Sequence, residues 1–140
     1  AIAAGIAEGL NLGENAKSAL ISRSFAEMTR YAKKFKADKN TLFGLSGLGD
    51  LILTCSSINS RNTQFGIKLA SSKYDNFLDL LKSQEVTEGY YTVKAVYNIS
   101  QKKNIDMPIM ESVYNILYKQ HDLKEELSNL LSRPITEEKI

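Results

Sequence analysis

The chain has 140 residues and a formal net charge of +2, from 18 Lys and Arg against 16 Asp and Glu. Apolar residues make up 43% and charged residues 24%, which is typical of globular proteins and excludes a disordered or fibrous chain. The length suits one domain over residues 1–140. The sequence has no apolar run of roughly 20 residues, which a transmembrane helix needs. It also lacks the concentrated basic face that is typical of a nucleic-acid binder.

The first two predicted elements are helices. Ala and Gly at close spacing predict a tightly packed helix over residues 1–10, ended by Asn11-Leu12-Gly13. This opening inside a helical pattern, without Met, is expected of a domain cut from a longer protein. Residues 15–36 form the next predicted helix. Its inward face comprises Ile21, Phe25, Met28, Ala32 and Phe35, and its solvent face comprises Arg23, Glu27, Arg30 and Lys34.

The middle of the chain is predicted to be helical as well. A short helix covers Thr41 to Leu45, capped by Asp38 or Asn40. The apolar run after Asp50 fits a buried strand or a buried helix, and we adopt a helix. Ser60 or Asn59 then caps a helix from Arg61 to Ala70, whose first backbone amides favour an anion.

The last third continues the all-α pattern. The expected elements are a loop at Ser71–Lys73 and helices over Tyr74–Lys82, Glu88–Lys102 (capped by Thr87, with Val93, Val96, Tyr97 and Ser100 inward) and Pro108–Gln120. A final helix starts at the capping-box spacing Asp122–Glu125 and ends before Pro134, ahead of a frayed tail at Thr136–Ile140.

Polar groups suited to a phosphorylated polyol cluster in two neighbouring stretches. Gly47-Leu-Gly-Asp50-Leu-Ile-Leu-Thr54-Cys55 offers a carboxylate and a hydroxyl, and Ser60-Arg61-Asn62 adds a guanidinium and an amide. A planar guanidinium matches phosphate geometry. The simpler alternative is that the second stretch only caps a surface helix.

Other residues have structural explanations. One cysteine, Cys55, forms no internal disulfide and fits a reducing, cytoplasmic compartment. With the single His121 it makes no ordinary zinc site, so we expect no metal. A Cys–His nucleophilic pair is conceivable, but a buried apolar thiol is the expected role. The basic run from Lys33 to Lys39 complements the dipole at a helix end.

Several motifs in the right order resemble one enzyme family. The two polar stretches, Val86-Thr-Glu88-Gly89 and Met107-Pro108-Ile109 are similar to the C-terminal domain of bacterial NAD(P)-dependent glycerol-3-phosphate dehydrogenase. The resemblance implies a multi-helix domain like that of the 6-phosphogluconate dehydrogenase-like superfamily. It also implies a separate N-terminal Rossmann domain, NAD or NADP as cofactor, a possible homodimer, and conversion of dihydroxyacetone phosphate to sn-glycerol 3-phosphate for glycerophospholipid synthesis.

The same resemblance implies roles for individual residues. Asp50 would orient a catalytic lysine that lies upstream of Ala1. The implied substrate contacts are Asp50, Thr54, Ser60, Arg61 and Asn62, and the implied cofactor contacts are Arg61, Val86 and Glu88. Four of these residues have a structural alternative: Asp50 could cap a helix, Thr54 or Ser60 could bond its own helix backbone, and Glu88 could complement a helix dipole.

Three other classes are compatible with parts of the pattern. A stand-alone helical module could bind a phosphorylated small molecule without any nucleotide domain. A helix-turn-helix DNA binder is disfavoured by the charge balance and by the lack of a basic recognition helix. A dehydrogenase with a different hydroxy-acid substrate is the nearest rival, against which Arg61-Asn62 favours a phosphorylated substrate.

Overall fold

The computed structural model describes residues 1–71, 79–80 and 87–134. Within these ranges no strand occurs, and the predicted all-α class is confirmed. Asp79 and Leu80 are helical, as the expected helix Tyr74–Lys82 requires, but the rest of that helix and the tail at 136–140 lie outside the described residues. The helices are α1 Ile2–Gly9, α2 Glu14–Lys34, α3 Lys39–Phe43, α4 Asp50–Ser56, α5 Arg61–Ala70, α6 Glu88–Lys103, α7 Pro108–Lys119 and α8 Leu123–Leu131.

Local capping determines several helix starts. Ser60 Oγ accepts a hydrogen bond from the Thr63 amide, and Asp122 accepts one from the Lys124 amide. Asp38, one of the two expected caps, accepts one from the Asn40 amide. Pro108 is the first residue of α7, where its missing N–H costs nothing. The predicted starts of α5, α7 and α8 are therefore confirmed.

The small residues of α1 allow its backbone to touch that of α5. A Cβ on Gly5 would overlap the carbonyl oxygen of Thr63, and a Cβ on Gly66 would overlap that of Ile2. The two helices therefore cross at a distance that only glycine permits. The core continues from this crossing through the fully buried side chains of Ile6, Leu20, Phe65, Leu80, Leu117 and Leu127.

Helix α2 differs from its prediction because both of its sides are packed. Glu27, expected in solvent, is only 4% exposed, and its carboxylate accepts from the backbone amides of Ile109 (2.5 Å) and Met110 (3.2 Å). Arg23 donates to the carbonyl oxygens of Leu130 and Arg133 at the end of α8. The predicted polar face thus satisfies the unpaired backbone groups at the ends of other helices.

Three further expectations need correction. Phe35, expected to face inward, is 46% exposed because α2 ends at Lys34. The short helix lies at Lys39–Phe43, slightly earlier than expected. A π-helical turn, Leu45–Gly49, then leads into α4, an element that the sequence did not predict. The choice of a helix for the apolar run after Asp50 is confirmed.

Stacked tyrosines join α6 to α7. The rings of Tyr97 and Tyr114 stack with centroids 3.7 Å apart, and Tyr118 donates its hydroxyl to the Tyr90 carbonyl oxygen at 2.6 Å. Burial is the main reason why the pKa of Tyr118 is raised. Among the described helices, none is long and apolar enough to cross a membrane.

Candidate functional site

The π-helical turn and α4 present Asp50. Gly47 lies within this turn, where a Cβ would overlap the carbonyl oxygen of Leu42, so the turn packs directly on the backbone of α3. Asp50 is the first residue of α4, and its carboxylate is exposed and has no hydrogen-bond partner among the described residues. The side chain does not cap α4. This carboxylate is therefore available to a group outside the described part of the chain.

Thr54 lies one turn after Asp50 on the same face of α4. Its hydroxyl lies 2.9 Å from the Asp50 carbonyl oxygen and 3.2 Å from that of Leu51, so it bonds the backbone of its own helix. Because a hydroxyl has one proton, Thr54 in this rotamer can only accept a hydrogen bond from a ligand. Its carbonyl oxygen accepts from the Thr63 hydroxyl at 2.6 Å.

Thr63 is a positioning residue that the sequence did not reveal. Its side chain is 1% exposed and joins the end of α4 to the first turn of α5. Its amide also donates to Ser60 Oγ, at 3.4 Å, so Ser60 caps α5 and uses one lone pair in doing so. The only sequence signal for this role is the position of Thr63 three residues after a capping serine.

Arg61 and Asn62 occupy the first turn of α5 and point to different surroundings. Arg61 is exposed and makes no ion pair or hydrogen bond with a described residue. Asn62 is half-buried, and its Oδ1 accepts from the Gly89 amide at 3.1 Å. The two N–H donors of the same side-chain amide have no partner among the described residues. This leaves an exposed guanidinium and an amide donor group on adjacent residues.

The Asn62–Gly89 bond places the start of α6 beside the start of α5. Glu88, the first residue of α6, is exposed, and Gly89 is packed so closely that a Cβ would overlap Asn62 Oδ1. Thr87 precedes α6 as expected, but its side chain makes no capping bond and its buried hydroxyl oxygen has no described partner. Val86 lies outside the described residues.

Two neighbouring helix starts give this end of the molecule an electropositive character. Each contributes roughly half a positive charge from its unpaired amides, and Arg61 adds a full one. Glu88 is the nearest acidic residue in sequence to the α6 start, and it lies in the first turn, where a helix dipole favours a carboxylate. The Glu88 carboxylate offsets the positive charge at the start of α6, whereas α5 has no acidic residue in its first turn, so an anion is favoured at α5 rather than at α6.

A mostly apolar cavity of about 230 Å³ lies behind these helix starts. Asn62 and Gly89 form part of its wall, as do Ala1 and the buried Glu27. Burial, which outweighs the two backbone hydrogen bonds, raises the pKa of Glu27 to about 7. Asn62 belongs both to the wall of this cavity and to the candidate anion site, whereas Asp50, Thr54, Ser60 and Arg61 do not line the cavity.

The described residues form neither a metal site nor a Cys–His nucleophilic pair. No group of three or more His, Cys, Asp or Glu side chains there could hold a metal ion. Cys55 is 2% exposed within the core, as expected of a buried thiol. His121 instead contacts Glu126, with Nδ1 and Oε1 2.8 Å apart. The conceivable Cys–His pair is not formed.

The chain is similar to known proteins over nearly its whole length. Residues 1–128 match the family model described as the C-terminus of NAD-dependent glycerol-3-phosphate dehydrogenase. A relative from Colwellia psychrerythraea, named glycerol-3-phosphate dehydrogenase [NAD(P)+], is 45% identical over 133 residues, which cover 95% of this chain and 40% of the relative. A relative of the same name from Staphylococcus carnosus is 43% identical over 134 residues, with the same two coverages.

A solved structure shows the same arrangement of helices. The crystal structure of glycerol-3-phosphate dehydrogenase from Coxiella burnetii matches with a TM-score of 0.87 at 39% identity, covering 94% of this chain and 40% of that one. The chain thus spans about 40% of the length of the curated relatives and of the solved structure that it matches.

Proposed function

Because the chain belongs to the C-terminal family of the NAD-dependent glycerol-3-phosphate dehydrogenases, we propose that it forms the substrate-binding and part-catalytic half of such an enzyme. The reaction is the interconversion of dihydroxyacetone phosphate and sn-glycerol 3-phosphate. An N-terminal nucleotide-binding domain supplies the other half. The complete enzyme is this chain together with that domain.

The observation that carries this proposal is the pairing of Arg61 with the donor group of Asn62 at the start of α5. The guanidinium offers two parallel N–H bonds to phosphate, and the free side-chain amide of Asn62 offers another. The amides of the first turn of α5 point in the same direction as the helix dipole, which favours an anion. Ser60 Oγ can also donate its proton to the substrate, because its capping bond uses only a lone pair.

Asp50 has a second task in the proposed reaction. Reduction of the ketone builds negative charge on the carbonyl oxygen, and a cationic proton donor must lie beside it. In this proposal a lysine upstream of Ala1 is that donor, and Asp50 orients it and favours its protonated form. The exposed, unpartnered carboxylate of Asp50 supports this role, as does the packing of α1 against α4.

The cofactor contacts are assigned to the rim of this chain. When bound, NADH or NADPH supplies the hydride. Glu88 and Arg61 are exposed side chains at adjacent helix starts, which suits contact with a cofactor that is held mainly by another domain. Val86 is assigned the same contact from the family resemblance alone. The mixed charge of this rim fits a ligand with both hydroxyl and phosphate groups.

A cytoplasmic location, a homodimer and a role in glycerophospholipid synthesis belong to the same proposal. The unpaired thiol of Cys55 fits a reducing compartment. Exposed apolar side chains give another domain or a second copy a surface to cover; they are Phe43, Leu45, Ile52, Leu53 and Ile58. Sedimentation equilibrium of the complete enzyme tests the dimer directly.

Turnover is the test of the proposed function. The complete enzyme is expected to oxidise NADH or NADPH when dihydroxyacetone phosphate is added, and the 140-residue chain alone should melt cooperatively but show no turnover. Turnover by the chain alone would contradict the division of roles. Phosphate binding by the chain with no activity in the complete enzyme would favour a stand-alone binding module.

A further inference from the structure

The ends of α2 and α6 form a basic cluster that is separate from the candidate site. Lys103 Nζ lies 5.4 Å from the centre of the Phe35 ring, so the last turn of α6 lies beside the last turn of α2. This brings together five cationic side chains from distant parts of the sequence. We call them the basic end, and they are Arg30, Lys33, Lys34, Lys36 and Lys103.

A concave groove runs along the basic end. Arg30, Lys33, Lys34 and Lys36 line one side, and residues 104–106 line the other. Its volume is about 560 Å³, within the range of small-molecule sites. The groove is more open than enclosed, so a small ligand in it would contact the cations along one wall and stay partly exposed to solvent.

The lysines of the basic end are not paired with carboxylates. None of the four makes an ion pair with a described Asp or Glu. Arg30 interacts electrostatically with the buried carboxylate of Glu27, and its Nε donates at 2.7 Å to the backbone carbonyl oxygen of Asp106. Asp106 contributes the one carboxylate among the described groove residues. Counted with Asp106 and without the buried Glu27, the basic end carries +4, and the other 13 basic and 15 acidic residues of the chain sum to −2.

Helix dipoles account for only a small part of this charge. The carboxyl ends of α2 and α6 each supply roughly half a negative charge, or about one together. Dipole compensation, which explains the basic run when only the sequence is known, therefore leaves about three positive charges unbalanced. Such a concentration repels itself, and a bound polyanion relieves that repulsion.

We propose that this groove binds a small molecule with two or more phosphate groups. Arg30, Lys33 and Lys34 are spaced at i, i+3 and i+4 on α2, which puts neighbouring Cβ atoms roughly 5–6 Å apart. Adjacent cations at this spacing can each meet one phosphate of a diphosphate or triphosphate. The concave wall favours a small ligand over a membrane. The proposal does not depend on the dehydrogenase function, because its residues lie outside that site.

Binding of tripolyphosphate tests the proposal. In calorimetric titrations of the 140-residue chain, tripolyphosphate is expected to bind saturably and inorganic phosphate much more weakly. The double substitution Lys33→Gln/Lys34→Gln should weaken tripolyphosphate binding by about tenfold or more, because two charge-assisted contacts are lost. Both side chains are exposed, so the thermal unfolding midpoint should hardly move.

The matched control removes the same charge elsewhere. Lys119 and Lys124 are exposed and lie near the far end of α7 from the groove, so Lys119→Gln/Lys124→Gln should change the affinity by less than about twofold. Equal weakening by both double substitutions would overturn the proposal, as would the absence of saturable binding. Binding to vesicles of phosphatidylglycerol and phosphatidylcholine, without binding of tripolyphosphate, would also overturn it in favour of a membrane contact.

Discussion

Asn62 Oδ1 accepts a hydrogen bond from the Gly89 amide, and this contact fixes two helix starts against each other. Because the carbonyl oxygen of the side chain must face Gly89, the two N–H donors of the amide must point elsewhere. A single residue therefore joins α5 to α6 and offers donors to a ligand. The two tasks use different atoms of one side chain, so substitutions can separate them.

Asn62→Asp should abolish hydrogen-bond donation to a ligand and keep the hydrogen bond from the Gly89 amide. A carboxylate oxygen still accepts from Gly89, so the free energy of unfolding should change by less than about 1 kcal/mol. The donors are lost and a negative charge faces the phosphate, so kcat/KM of the complete enzyme for dihydroxyacetone phosphate should fall by about a hundredfold or more. Steady-state kinetics and urea unfolding measure the two effects.

Asn62→Ala is the matched comparison. It also removes the acceptor of the half-buried Gly89 amide, so the chain should lose about 1–3 kcal/mol of stability. If Asn62→Asp were as unstable as Asn62→Ala, the hydrogen bond to Gly89 would not be what holds the helix starts together. Full activity of Asn62→Asp would remove Asn62 from the substrate site.

Arg61→Ala tests the recognition of phosphate. The complete enzyme should lose about 1.5–3 kcal/mol of transition-state binding with dihydroxyacetone phosphate, or about tenfold to a hundredfold in kcat/KM. Unphosphorylated dihydroxyacetone should be affected far less, because it presents no anion. Arg61→Lys should recover only part of the loss, since a point charge cannot form the bidentate contact. Equal losses on both substrates, with the fold intact, would show that Arg61 does not contact phosphate.

Asp50→Asn should act mainly on the chemical step. If Asp50 orients the proton-donating lysine of the complete enzyme, kcat should fall and KM should change much less. The carboxylate has no described hydrogen-bond partner, so the unfolding midpoint should stay nearly constant. A drop in stability together with unchanged kcat would identify Asp50 as a structural residue of α4.

Glu27 should make the stability of the chain depend on pH. Its pKa is about 7 in the folded chain and 4.5 in a free side chain, so the folded state binds the proton more tightly. The contribution of Glu27 to stability is fully present below pH 4.5 and is lost as the pH rises to about 7. This difference corresponds to on the order of 3 kcal/mol.

The non-titrating variant Glu27→Gln isolates this contribution. In urea unfolding between pH 4.5 and 8, the free energy of unfolding of the wild-type chain should exceed that of Glu27→Gln by less and less as the pH rises. The substituted amide presents donors as well as an acceptor to the amides of Ile109 and Met110, so the variant should be the less stable at low pH. A constant difference over the whole range would show that Glu27 titrates normally.

Helix boundaries that depend on local chemistry were predictable from the sequence. Ser60, Pro108 and Asp122 determine helix starts through their own side chains and neighbouring amides, and the structure has α5, α7 and α8 begin there. The periodicity of α2 predicts a helix but not its surroundings. It predicts a solvent position for Glu27, because a charged residue opposite an apolar face normally lies there. In the structure the Glu27 carboxylate accepts hydrogen bonds from the first turn of α7, where its partner Ile109 lies 82 residues away in the sequence.

The candidate site shows the same limit. The types of its residues are visible in the motif, but the partner of Asn62 follows 27 residues later and carries no side chain that would signal a contact. The role of Thr63 likewise depends on where α4 ends relative to α5. The basic end is not recognisable in the sequence because its two halves, near Lys34 and Lys103, are brought together only by the packing of α2 and α6.

The crossing of Gly5 with Gly66 has a mechanical consequence. With backbone resting on backbone, no flexible side chain lies between the two helices at this crossing to absorb a displacement. A displacement of α1 here would therefore be passed to the backbone of α5. The crossing acts as a stiff joint between α1 and the helix whose first turn carries Arg61 and Asn62.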